Sequence, residues 1–153
     1  MRIGLISDTH DRLRPEALAF LGGSDHIVHA GDICSQGVLE SLAAIAPLTA
    51  VRGNNDRGAW AAALPEAAVV RLGGIVVCAI HDLSELDVDL AAAGVRVVVS
   101  GHSHRPLVQE RDGVLYVNPG SAGPRRFTLP ISAGQLVVDG GRVSARLVEW
   151  SGR

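Results

Sequence analysis

The stretch Arg2-Ile3-Gly4-Leu5-Ile6-Ser7-Asp8-Thr9-His10 sets the reading of the whole chain. A short apolar run breaks off into Asp-x-His, as a buried strand does when its end carries polar side chains. The same pattern returns four times. His26–Ala30 runs into Gly31-Asp32, and Leu48–Val51 into Gly53-Asn54-Asn55-Asp56. The run 75–80 ends at His81-Asp82, and Val95–Val99 leads to Gly101-His102-Ser103-His104. In open α/β sheets, ligands bind at the carboxyl ends of strands. Polar clusters at successive strand ends therefore predict one shared site.

Helices alternate with the early strands. Pro15 suits the first turn of a helix through Leu21, ended by Gly22-Gly23. Ser35 is placed to cap a helix over about 36–46, with Val38, Leu39, Leu42, Ile45 and Ala46 on one face. Gly73-Gly74 joins strands 67–72 and 75–80 as a hairpin. Ser84 and Asp87 resemble a capping box before a helix to about Ala93. Two later hairpins pair Leu107–Gln109 with Val114–Val117 and Gln135–Val138 with Val143–Val148. Parallel units first and antiparallel strands later predict a mixed α/β (α+β) sandwich, two sheets face to face with helices outside. A length of 153 residues, without a repeat or linker, suits a single domain over 1–153.

Composition narrows the function. Apolar residues are 47% and charged residues 20%, enough for a real core. The net charge of −2 offers no drive toward sequence-independent nucleic-acid binding or an anionic membrane. All 14 basic residues are arginine, which excludes lysine chemistry such as a Schiff base or a P-loop. No apolar run reaches the roughly 18 residues of a membrane span, and the N-terminal run is too short for a signal peptide. Cys34 and Cys78 form neither a CxxC pair nor a disulfide framework, so a reducing cytoplasm is expected.

The residue types at the strand ends point to metal. Four imidazoles, two or three carboxylates and an amide oxygen suit Mn, Fe, Zn or Co. The set is too rich in imidazole for a site restricted to Mg or Ca, and it lacks the thiolates of a structural zinc. Seven ligands exceed one tetrahedral ion and fit two ions sharing a carboxylate, about 3.5–4 Å apart. In extended backbone, residues i and i+2 point the same way, so Asp8 and His10 would reach one ion together, and His102 and His104 share that spacing.

In this order, the five clusters resemble the signature of the calcineurin-like metallophosphoesterases: Asp-x-His, Gly-Asp, Gly-Asn-(His or Cys)-(Glu or Asp), His, and Gly-His-x-His. Asn118-Pro119-Gly120-Ser121 extends the resemblance to the small bacterial and archaeal phosphodiesterases of that family. The resemblance implies a four-layer αββα sandwich of two mixed sheets flanked by helices. It implies that Asp8, His10 and His104 hold one metal, Asn54, His81 and His102 the other, and Asp32 bridges them. It further implies phosphodiester or phosphomonoester hydrolysis by a hydroxide bridging two divalent ions, most readily Mn²⁺, with Ni²⁺, Co²⁺, Fe²⁺ or Zn²⁺ as alternatives. The substrate would be a small phosphoester, and a homo-oligomer stays open.

Some positions depart from the family pattern. Where many members carry a leaving-group histidine, this chain has Asn55, which cannot act as a general acid near pH 7 but can bond a phosphate oxygen. Stable leaving groups, such as aryl alcohols, should then turn over best. Asn54, Asn55 and Arg57 are the candidate substrate contacts, with Trp60 either at the mouth or a packed indole. Asp82 reads as a helix cap rather than a ligand partner, His29 as a supporting group or a core histidine, and Cys34 as a small buried side chain. Arg125-Arg126 reads as a solvated loop or a phosphate contact. One branch of the family, the small retromer subunit, keeps the fold as an interaction scaffold with weak or lost catalysis. It is the rival reading. A nuclease would need a nucleic-acid groove that the charge does not support.

Overall fold

The structure, a computed structural model, describes residues 1–151. Its strands are β1 (Arg2–Ile6), β2 (His26–His29), β3 (Leu48–Ala50), β4 (Ala67–Leu72), β5 (Ile75–Ile80), β6 (Val95–Val99), β7 (Leu107–Arg111), β8 (Val114–Asn118), β9 (Ile131–Asp139) and β10 (Arg142–Trp150). They build two five-stranded sheets, in the orders β10-β9-β1-β2-β3 and β4-β5-β6-β8-β7. Both are mixed. Strands β1, β2 and β3 run parallel in the first, as do β5, β6 and β8 in the second. The hairpin strands β9, β10, β4 and β7 are antiparallel to their neighbours.

Period-two alternation divides each strand between two cores. Ile3, Leu5, Val28, Val77, Ala79, Val97, Val99 and Val117 point between the sheets, where Leu136 and Val138 join them. The odd-phase partners point outward. Ile6 and Ile27 meet Ala17, Leu21, Val38 and Leu42 from two helices, α1 (Pro15–Leu21) and α2 (Gln36–Ala43). On the far face, Cys78, Ile80, Val95 and Val98 lie under Leu83, Leu86, Val88 and Leu90. The four layers are those expected, with a thin fourth layer.

Pro15 opens α1, and the Ser35 hydroxyl caps α2 by accepting from the Val38 amide at 3.3 Å. Helix α2 ends at Ala43, three residues short of the expected 46. The sequence did not announce α3 (Ala59–Ala62), a single turn behind the third polar cluster. The predicted capping box and helix from Ser84 do not form. Instead Asp82 accepts from the Ser84 amide and starts a 3₁₀ turn over Leu83–Glu85, and Asp89 separately caps the short α4 (Leu90–Ala93). The reason is local competition: the Ser84 hydroxyl also donates to Asp82, at 2.8 Å, so Ser84 is held inside the Asx turn. No helix among the described residues is long and apolar enough to cross a membrane.

Candidate metal centre

The parallel strands β1, β2, β3, β5 and β6 all end at one rim, and their polar ends meet there. Asp8 is fully buried and His104, His81 and Asp32 nearly so. Asp8 Oδ1 lies 3.4 Å from His104 Nε2 and 3.9 Å from both His10 Nε2 and His81 Nε2. Asp32 Oδ2 lies 3.4 Å from His81 Nε2 and 3.6 Å from His10 Nε2. Two groups with metal-holding geometry result, Asp8-His10-His104 and Asp8-Asp32-His81. Asp8 belongs to both, while Asp32 stands between His10 and His81.

The remaining expected site residues sit at the rim. His102 packs its ring edge-on to His81, 5.1 Å between centroids, with Nε2 3.9 Å from Asp82 Oδ2. Asn54 is exposed and lines a cavity of about 510 Å³ together with His81 and His102. Asn55 turns inward: its amide N–H donates to Asp32 Oδ1 and its Nδ2 to Asp32 Oδ2, each at 2.9 Å. Arg57 is exposed on the loop before α3, and Trp60 packs against the core under the first sheet.

Backbone conformation corrects one expectation. Asp8 (φ 54°), His10 (φ 45°), Asp32 (φ 57°), His102 (φ 73°) and His104 (φ 61°) are all left-handed, not extended. Asp8 and His10 still share one group, but the i and i+2 spacing does not put His102 and His104 side by side. His10 and His104 approach each other, ring centroids 5.3 Å apart, while His102 diverges from His104 toward His81. Non-glycine residues in this region cost about 1–3 kcal/mol each and concentrate where function over-determines the backbone.

Hydrogen bonds leave one atom of each key side chain unused. His81 Nδ1 lies 2.8 Å from the Ala30 carbonyl, which can only accept, so the proton is on Nδ1 and Nε2 presents a lone pair to the centre. Ser7 Oγ and the His102 amide both donate to Asp8 Oδ2, at 2.8 and 3.1 Å, leaving Oδ1. Asp8 Oδ1, His10 Nε2, His81 Nε2 and His104 Nδ1 are buried without a hydrogen-bond partner. Unpaired buried polar atoms are costly and rare; Asp8 Oδ1 with His10 Nε2 and His81 Nε2 around it, and His104 Nε2 at 3.4 Å, fit divalent metal, with mixed N/O donors of the right chemistry.

Electrostatics agree with that fit. Burial alone would raise Asp32, but the attraction of the His81 imidazole and the hydrogen bonds from Asn55 outweigh it and hold the carboxyl below its ordinary range. Burial likewise opposes charge on His81, but Asp32, Asp8 and the Ala30 carbonyl raise its pKa. His10 is lowered by burial, against the pull of Asp32 and Asp8, with His104 and Arg126 adding to the lowering.

Two residues support the donors: Asp56, whose role the sequence reading missed, and His29, which it named as a supporting group or a core histidine. Asp56, quoted only as part of a turn, accepts from the amides of Asp32, Ile33, Cys34 and Gly53 at 2.8–3.0 Å. One buried carboxylate thus bolts the second polar loop to the third. His29 is fully buried. Its Nδ1 accepts from the Gly31 amide at 3.1 Å, so Nε2 donates to Thr9 Oγ1 at 3.0 Å. Thr9 passes its own proton to the Ile33 carbonyl at 3.1 Å. Burial pushes His29 down to about 3, so it stays neutral. Cys34 is half-buried rather than buried, with Sγ 3.7 Å from His10 Nδ1 and its thiol pushed up by burial to about 11. Gly53 is required for close approach, because a Cβ there would overlap the Asp32 carboxylate.

A family model described as the calcineurin-like phosphoesterase superfamily domain matches residues 1–141. The chain belongs to this superfamily. A probable metallophosphoesterase of the archaeon Methanothermobacter thermautotrophicus is 35% identical, over 97% of this chain and 92% of its own. Among solved structures, one described as a novel archaeal phosphodiesterase superposes with a TM-score of 0.80 at 24% identity, covering 97% of this chain and all of that one. Vps29 of Chaetomium thermophilum superposes at 0.78 and 24% identity, over 98% and 97%. These two likenesses establish the fold alone. As a family member the chain is similar to metal-dependent phosphoesterases throughout its matched length.

Proposed function

We propose that this protein is a metal-dependent phosphodiesterase that works with two divalent ions, held by Asp8, His10, Asp32, Asn54, His81, His102 and His104, with Mn²⁺ as the working metal. The supporting observation is the convergence of His10, His81 and His104 on the buried, unpartnered Oδ1 of Asp8 in a phosphoesterase fold. Divalent ions supply Lewis acidity there, polarising phosphoryl oxygens and acidifying water. Diester over monoester follows the name of the archaeal structural relative. Two free cysteines, Cys34 and the buried Cys78, suit a reducing cytoplasm.

The chain's own residues have defined tasks in this reading. Asp8 and Asp32 place negative charge between three imidazoles. Asn55 locks both oxygens of Asp32 and keeps it ionised. No group at position 55 donates a proton to a departing alkoxide, so substrates with acidic leaving groups react fastest.

The test is hydrolysis of bis(p-nitrophenyl) phosphate by the purified protein. Turnover that requires Mn²⁺ and disappears in Asp32→Ala is expected. Protein that binds metal tightly yet turns over no phosphoester overturns the proposal and favours an interaction scaffold of the Vps29 type.

A further inference from the structure

On the His10–His104 side of the centre, a cavity of about 410 Å³ is walled by Pro124, Arg125, Arg126 and Phe127. Three features of this segment are unusual together. Phe127 is 89% exposed, the most exposed of the large apolar side chains. Its backbone is left-handed at φ 54°, a conformation that bulky residues rarely adopt. Two adjacent guanidinium groups flank it in an otherwise mildly acidic protein.

The arm is firmly based and open at its tip. At the base, Ser121 Oγ reaches the carbonyls of Asp8 and Pro124, both at 3.1 Å. Arg14 Nε donates to the Gly123 carbonyl at 2.9 Å, and a Cβ on Gly123 would overlap Thr9. The Leu129 amide closes a turn on the Arg126 carbonyl at 3.0 Å. A rigid anchor on the Asp8–His10 loop fixes where the exposed side chains stand relative to the centre.

Charge on the opposite side decides which way a substrate extends. The cavity beside His81 and His102 is lined by Glu66, Asp82, Glu85 and Asp87, and its Arg52 is taken by Glu66 at 3.0 Å. An anionic substituent is repelled there and attracted to the arginine arm.

We propose that Arg125, Arg126 and Phe127 form the subsite for the substituent of the scissile phosphate, and that this substituent joins a planar ring to a second negative charge, as a nucleotide does. Arg presents a planar fork to phosphate, and an exposed aromatic ring is a stacking platform for a base. The inference rests on the phosphoesterase reading above and names its substrate class.

The test compares two substrates on the Mn²⁺-loaded enzyme: a 5′-phosphorylated adenosine dinucleotide and bis(p-nitrophenyl) phosphate. Arg126→Ala should raise KM for the dinucleotide about fivefold more than KM for the aryl diester, since only the former carries the second charge. Phe127→Ala should raise KM for both about fivefold, through lost stacking. Calorimetric titration of the EDTA-treated protein with ADP should show the same two variants binding more weakly than the parent. Variants that bind ADP and hydrolyse the dinucleotide as the parent does overturn the inference. A parent that hydrolyses neither substrate overturns the phosphoesterase reading instead, and the ADP titration still judges the arm.

Discussion

The two mouths of the centre are built in opposite ways. Beside His81 and His102 the walls are acidic and come from the second sheet's connections, 82–88. Beside His10 and His104 the wall is a cationic, aromatic arm that follows Asn118-Pro119-Gly120-Ser121. Between them lie Asp8 and Asp32, buried and shared. In the proposed reading, the buried part supplies the chemistry, which both mouths use, and the exposed parts select the substituent.

If the centre is shared, damage to it must ignore which mouth a substrate uses. Asp32→Ala should cut kcat by about 1,000-fold or more for aryl and nucleotide diesters alike, measured by steady-state kinetics with Mn²⁺. Unequal losses would mean that the two mouths serve different chemistry.

The next effect concerns the bolt beneath the centre. Asp56→Asn turns an NH₂ group toward backbone amides that now meet a carboxylate, and should cost about 2–4 kcal/mol. Thermal unfolding and metal content should fall together, because the loops carrying Asp32 and Asn54 separate. A variant with parental Tm would show that Asp56 is dispensable.

Buried His29 gives a pH signature to the arm-side loops. Its folded pKa of about 3 lies below the ordinary 6.5, so the unfolded chain takes up the proton first. Its stabilising contribution is complete above about pH 6.5 and is lost as pH falls toward 3, by up to about 1.4 kcal/mol per unit. Urea midpoints of EDTA-treated protein should drop between pH 7.5 and 5, and His29→Gln should flatten that drop.

The smallest effect sharpens the contrast directly. Neutralising the acidic mouth with Glu85→Gln and Asp87→Asn should lower KM for an anionic diester about twofold at low salt, and salt should erase the difference. A rise in KM would assign the acidic wall a binding role.

Much of this was legible in the chain because strands alternate with period two. The runs ending at Asp8, Asp32, Asn54, His81 and His102 split between inner and outer cores as their spacing requires, and their polar ends share a rim. Misreadings came where a side chain competes for backbone amides. Asp82 holds Ser84 itself, accepting from both its amide and its hydroxyl, and Asp89 caps the later helix from the Ala92 amide. Asp56 looked like a turn residue because its four amide partners lie partly in another loop, 22–24 residues away.

The two-sheet layering, the rim and the donor chemistry can be read from the chain alone, since apolar periodicity and residue type are local properties. How the donors divide depends on the folded arrangement, because left-handed backbone at Asp8, His10, His102 and His104 is sustained by contacts between loops. Those contacts turn His104 toward His10 and His102 toward His81, and they stand the arginine arm beside one pair and the acidic wall beside the other. A conformation that costs energy locally is set by the partners that stabilise it, and those partners are distant in the chain.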